Sequence, residues 1–213
     1  MLRIVVAVSL MVLATSYACA GQSGDYVGVS SGVLLTKSST LGDRDGASAK
    51  LTYSSLGIPV SISLGHQFGS GLRVEEELAY KRADIDAFNY AGVAHHIDGS
   101  VWCLSAMSNL YYDWYHNIGA MAESWFSPYV VAGVGVADVG MSEGNVDGLK
   151  LWNSDSSMVF AYQLGIGSGI RIRDNLLLDI SYRYFDAQRA HIDQVTTSFQ
   201  NGSVLLGVRY TFR

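Results

Sequence analysis

Between residues 57 and 68 the chain alternates with period two. One parity carries Ile58, Val60, Ile62, Leu64, His66 and Phe68, and the other carries Pro59, Ser61, Ser63, Gly65 and Gln67. A helix would need apolar residues every three to four positions, so this pattern belongs to a strand with one apolar and one small or polar face. The same alternation returns at the end of the chain, where Val204, Leu206, Val208, Tyr210 and Phe212 oppose Ser203, Leu205, Gly207, Arg209 and Thr211. It returns again at 160–171, 176–184 and 102–114, and in weaker form at 26–35, 72–81 and 126–137. Eight such segments are the smallest even number that closes a membrane barrel. The sequence therefore predicts an all-β fold, an eight-stranded antiparallel up-and-down transmembrane β-barrel.

The charges lie on one parity. Arg73, Glu75, Glu77, Lys81, Asp113, Asp179, Arg183 and Arg209 all share the minor, small-residue face. Turning that face to lipid would cost about 2–4 kcal/mol for each Arg or Lys at the midplane, so in a membrane barrel it must line the lumen. The competing arrangement is a soluble, lipocalin-like barrel that turns its apolar parity inward onto a ligand. Partition into detergent extracts, not the soluble periplasmic fraction, separates the two.

Export favours the membrane. Arg3 precedes an apolar run at 4–14, and Ala18-Cys19-Ala20 forms an A-x-A-like cleavage site, so 1–20 reads as a signal peptide and 21–213 as the barrel domain. A lipoprotein signal with Cys19 acylated is the rival, although Ser16-Tyr17-Ala18 lacks the Leu-rich approach of such sites. Cleavage leaves Cys103 as a single cysteine, expected to be a small packed residue. The most apolar later stretch, 129–137, is interrupted by glycine and about half as long as a spanning helix needs. A strand crosses with about 9 to 11 residues, provided the sheet closes on itself. The net charge of −5 offers no basic stripe for phosphates, which argues against a nucleic-acid partner.

The connections alternate in length. Long polar segments at 36–56, 82–100, 138–157 and 186–202 contrast with the tight turns Gly69-Ser70-Gly71 and Arg173-Asp174-Asn175, and 115–125 is intermediate. Long loops outside and short turns on the periplasmic side place both chain ends in the periplasm. In that orientation Phe68, Trp114, Phe126, Tyr210 and Phe212 form a periplasmic aromatic belt, and Tyr80, Trp102, Phe160, Tyr162, Tyr182 and Tyr184 an outer one.

The segments 73–80 (RVEEELAY), 107–114 (MSNLYYDW), 160–165 (FAYQLG) and 181–186 (SYRYFD) resemble, in order and spacing, the OmpA-like, opacity-type outer-membrane β-barrel surface proteins of Gram-negative bacteria. The resemblance extends over nearly the whole mature chain. It implies a barrel in the outer membrane with roles in envelope integrity, adhesion or host contact, and no shared catalytic site. It also implies that Val208, Tyr210 and Phe212 act as the signal read by the barrel assembly machinery. Two departures are Glu76, a charge on the lipid-facing parity, and Arg213, which follows the aromatic on which such chains usually end.

Other chemistry is thin. His95, His96 and Asp98 could begin a metal site but lack spaced third and fourth ligands. Asp43, Asp45, Asp84, Asp86, Glu143, Asp147 and Asp155 lack the order of a calcium loop. The run 165–169 (GIGSG) mimics a nucleotide loop but lies inside an alternating strand, where glycine makes room within a narrow barrel. Neither a metal nor a cofactor is expected. Eight-stranded barrels that modify lipid A exist, but His66 has no obvious Ser beside it, leaving only His191 with Ser198. A lipid A modification assay discriminates this reading from a non-enzymatic one.

On the inward parity Arg73, Lys81, Arg171, Arg183 and Arg209 face Glu75, Glu77, Asp113 and Asp179. Near-balance predicts pairing in a plugged lumen, with Glu77 meeting Arg183 or Arg209, whereas a selective channel favours one sign. A narrow porin-like channel is the alternative. The expected partners are outer-membrane lipid and lipopolysaccharide, the assembly machinery and an unidentified extracellular ligand at the loops, with the barrel itself monomeric.

Overall fold

The computed structural model describes residues 24–36, 39–42, 48–53, 57–90, 93–95, 100–114, 125–142, 144–146, 149–152, 155–192 and 195–212. The segment read as a leader lies outside them. The described strands, in chain order, are β1 (Gly24–Thr36), β2 (Ser39–Gly42), β3 (Ser48–Tyr53), β4 (Ile58–Gln67), β5 (Leu72–Tyr90), β6 (Val93–His95), β7 (Ser100–Asp113), β8 (Phe126–Met141), β9 (Gly144–Val146), β10 (Leu149–Trp152), β11 (Asp155–Arg173), β12 (Leu176–Ile192) and β13 (Val195–Thr211). Among the described residues no helix is long and apolar enough to cross a membrane.

Eight of these close a ring. β1 pairs with β4, β4 with β5, β5 with β7, β7 with β8, β8 with β11, β11 with β12, β12 with β13, and β13 back to β1, every pair antiparallel. Closure leaves the sheet without an edge, the condition for putting backbone amides in lipid. The alternation now acquires a direction: Val60, Ile62, Leu64, Leu78, Leu110, Leu164, Ile166, Ile180, Val204 and Leu206 are exposed on the outside. Arg73, Glu75, Glu77, Asn109, Asp113, Gln163, Arg183 and Arg209 are buried inside. The lipocalin-like arrangement, apolar parity inward, is excluded. The residues of both aromatic belts lie on the outward parity of their strands, and Tyr80, Trp114, Phe160, Tyr182, Tyr210 and Phe212 are exposed there. Glu76 keeps its outward position: it stands opposite Leu64 and Ser108 in an unbroken register.

The first short turn depends on glycine. Phe68 N donates to Leu72 O at 2.8 Å, closing a three-residue loop in which Gly71 has φ 86°, a conformation costly for any residue with a Cβ.

The long polar segments differ from expectation. Their polar composition predicts loops, yet much of them is strand: β5 runs on to Tyr90, β8 to Met141 and β12 to Ile192, and β13 begins at Val195. β5 and β11 have 19 residues each, well beyond what a membrane requires. β1 and β4 stop lower, and the hairpin β2–β3 continues the wall above them, β3 pairing with β5 and β2 with β13. Backbone pairing extends past the bilayer because polar side chains do not prevent ladders once the hairpin below has set their register.

Candidate functional site

The inward side chains of the barrel form two storeys. The lower and middle storey is the charge network. Arg73 from β5 donates from Nε to Asp113 Oδ2 of β7 at 2.7 Å and from Nη1 to the Tyr26 hydroxyl at 3.3 Å. Its guanidinium lies 4.0 Å from the Tyr111 ring centroid and 4.9 Å from that of Tyr129, so aromatic faces cover the charge where no carboxylate does. Glu75 accepts from Tyr26 at 2.8 Å and from Tyr111 at 2.6 Å. Glu77 forms an ion pair with Arg183 Nη1 and accepts from Gln163 Nε2 at 3.2 Å, while Arg183 Nη2 donates to the Tyr111 hydroxyl at 2.7 Å. Arg209 pairs with Asp179 at 3.2 Å.

Of the two candidates for Glu77, Arg183 is therefore its partner. Glu77 on β5 and Arg183 on β12 are far apart in the wall and meet across the lumen. Arg171, also expected inside, is corrected: it is exposed near the turn at the periplasmic end of β11, where the strand has run past the lumen. Among the described residues the interior then holds four basic groups, Arg73, Lys81, Arg183 and Arg209, against four acidic ones, Glu75, Glu77, Asp113 and Asp179. The space among them has about 40 Å³ of room for water.

The upper storey is apolar. Leu34, Ala83, Val101, Cys103, Met107, Ala137, Val139, Ala161, Phe185, Ala187 and Phe199 form one buried cluster at the external end. The Phe185 and Phe199 rings meet edge to face at 6.4 Å. Lys81 marks the boundary, its Nζ 3.3 Å over the Phe185 centroid. Cys103 is a free, buried thiol within this cluster, as a packed residue should be.

Sequence reasoning missed this apolar storey and the three inward tyrosines. Tyr111 could have been found, because it shares the parity of Asn109 and Asp113. Phe185 and Phe199 lay in or beside a segment read as loop, so their inward direction carried no signal. The glycine run on β11 serves the packing: a Cβ at Gly167 would lie 2.6 Å from the Tyr129 ring.

The other candidate residues fall into described and undescribed ones. His66 Nδ1 lies 2.7 Å from Asp25 Oδ1 near the periplasmic ends of β4 and β1. The predicted assembly residues Val208, Tyr210 and Phe212 all point outward and are exposed, with the Tyr210 and Phe212 rings 5.4 Å apart. Asp84 is exposed beside Arg82 at 3.5 Å. His96, Asp98, Asp43, Asp45, Glu143 and Asp147 lie outside the described residues, as do the side chains of His95, Asp86, Asp155, His191 and Ser198.

The family model for the outer membrane protein beta-barrel domain matches residues 4–212. The outer membrane protein PagN of Salmonella typhimurium is 30% identical over 175 residues, 75% of this chain and 68% of that protein. Among solved structures, Neisserial surface protein A superposes with a TM-score of 0.53 at 19% identity, covering 90% of this chain and all of that one. OprG of Pseudomonas aeruginosa gives 0.57 at 16%, covering 89% and 96%. The ring of eight strands, its apolar outer band and a family match over nearly the whole length agree, and the chain belongs to the outer membrane protein beta-barrel domain family, a surface barrel of the bacterial outer membrane.

Proposed function

We propose that this barrel is a non-enzymatic anchor with a packed lumen, which holds its extended strands and their connections out to an extracellular partner. The observation that carries this reading is the two-storey filling. A route for solutes would have to break the Glu77–Arg183 pair and then part the Phe185–Phe199 cluster. The even balance of four basic and four acidic groups supports pairing over ion selection. The strands that outrun the membrane supply a stiff support for binding residues, the usual division between scaffold and recognition loops. Outside, the apolar band with its two belts suits lipid and lipopolysaccharide.

Single-channel recording in planar bilayers tests the lumen. The wild-type protein is expected to give small or no openings, and large, steady conductance overturns the packed-lumen reading. Binding of whole cells carrying deletions in the external connections, compared with intact protein, identifies the surface that meets the partner.

Assembly is a second part of the proposal. Val208, Tyr210 and Phe212 present an alternating, aromatic-ended outward face of β13, with Phe212 N held to Asp25 O at 2.8 Å at the barrel's closing seam. Phe212→Ala is expected to lower the amount of heat-modifiable, folded protein in the outer membrane several-fold, whereas removing Arg213 changes it little. Equal amounts of folded wild type and Phe212→Ala refute the role.

A further inference from the structure

The outward residues of β12 climb the wall as Leu176, Leu178, Ile180, Tyr182 and Tyr184, and the next is Asp186. The apolar run from 176 to 184 has the length with which a tilted strand crosses the hydrocarbon, about 9 to 11 residues, so Asp186 stands at the outer headgroup level. Three donors converge on one of its oxygens. The Tyr162 hydroxyl of β11 and Gln200 Nε2 of β13 each lie 3.0 Å from Oδ2, and the Tyr184 hydroxyl lies at 3.3 Å. Tyr162 and Gln200 are the residues directly opposite Asp186 on the two adjoining strands, so the register builds the cluster. All three donors are neutral. Among the described residues no ion pair reaches Asp186, and Oδ1 has no partner.

Below this carboxylate the wall is indented. The outward side chain at position 132 of β8 is only alanine, and the residues opposite it on the two neighbouring strands are Leu110 and Leu164. A short side chain between two long ones leaves an apolar groove of about 580 Å³, whose lining includes Leu110, Ala132, Leu164, Ile166, Tyr182 and Tyr184. Tyr184 belongs to both features: it lines the groove and donates to Asp186.

We propose that the groove and the carboxylate together bind one outer-leaflet lipid whose headgroup carries a primary amine. This rests on the lipid contact proposed above and names the headgroup that the contact selects. An apolar groove at hydrocarbon depth is filled by an acyl chain, because a void there forfeits dispersion contacts and water finds no polar partners in it. The chain by itself does not discriminate among lipids; the headgroup does. An ammonium brings donors to the free Oδ1 and the positive charge that the three neutral donors do not supply. The Tyr162 and Tyr184 rings, centroids 6.4 Å apart, flank that position with aromatic surface suited to a cation. A headgroup bearing only phosphate sets a second negative charge against Asp186.

Native mass spectrometry of the full-length protein, released from detergent with added lipid, tests the proposal. Phosphatidylethanolamine and phosphatidylglycerol with identical acyl chains are compared first, and the ethanolamine lipid is expected to be retained about tenfold more, the worth of one charge-assisted contact. Asp186→Asn keeps an acceptor for the three donors and is expected to abolish that preference. Ala132→Phe fills the groove and is expected to lower retention of both lipids several-fold, whereas Ile62→Phe on β4, across the barrel, changes neither. Lipid A with and without an amine substituent forms the second arm, and the tighter of amine-bearing lipid A and phosphatidylethanolamine identifies the source of the ammonium. The heat-modifiable gel shift verifies that every variant is folded. Equal retention of the two phospholipids, an unchanged preference in Asp186→Asn, or full retention in Ala132→Phe overturns the proposal. Absence of the wild type from the outer-membrane fraction is a separate result, which refutes the lipid contact itself.

Discussion

Replacing Arg183 by alanine is expected to lower the stability of the folded barrel by about 3–5 kcal/mol, the usual cost of leaving one member of a buried ion pair without the other. Glu77 would keep only the Gln163 amide, and the Tyr111 hydroxyl would lose its guanidinium partner. The stranded carboxylate would stand among buried side chains. Equilibrium unfolding in urea, from detergent or lipid vesicles, gives the measurement, with the gel shift as a check on folding. Glu77→Gln should cost less, because an amide oxygen can still accept from Arg183. The double variant Glu77→Leu with Arg183→Met should recover much of the loss, since it removes both charges together. If Arg183→Ala unfolds at the same urea concentration as the wild type, the pair contributes nothing to stability.

Phe185→Ala is expected to cost a comparable amount, about 3–5 kcal/mol, for a different reason. The ring is fully buried in the upper storey, packs edge to face on Phe199 and covers the Lys81 ammonium. Truncation leaves a cavity whose walls belong to the hydrogen-bonded strands of a closed barrel, which cannot collapse to fill it. It also exposes a buried ammonium to a void in place of an aromatic face. Phe185→Leu, which keeps most of the volume, should lose much less. Thermal and urea unfolding of the two variants separate the effects, and an unchanged Phe185→Ala would show that the apolar storey is not part of the stabilising core. The two predictions are independent in mechanism, electrostatic below and packing above, although Lys81 touches both storeys.

Much of this was legible from residue order. The facing of every strand in the membrane follows from alternation, because a side chain's direction in a strand is set by the backbone of its own residue and needs no knowledge of the neighbours. The charged parity of β5, β7, β12 and β13, the two aromatic belts and the tight turn at Gly71 belong to this local class. So does the outward position of Glu76, which follows from its parity and which the register keeps.

Other features depend on how the strands stagger when the sheet closes. Arg183 and not Arg209 meets Glu77 because the tilt of β12 against β5 across the lumen sets which inward residues share a level, a non-local quantity that no single strand encodes. Arg171 leaves the interior for the same reason: it has the right parity, but its strand passes the end of the lumen before reaching it. The extension of β5, β8, β12 and β13 beyond the bilayer was hidden because side chains above the membrane alternate less cleanly, while their backbone ladders continue from the paired strands below. The apolar storey toward the outer mouth is completed only when those extensions add Ala83, Val101, Val139, Phe185, Ala187 and Phe199 to the inward residues of the strands below. Local alternation thus assigns each side chain to lipid or lumen, and closure of the ring, through register and tilt, assigns its partner.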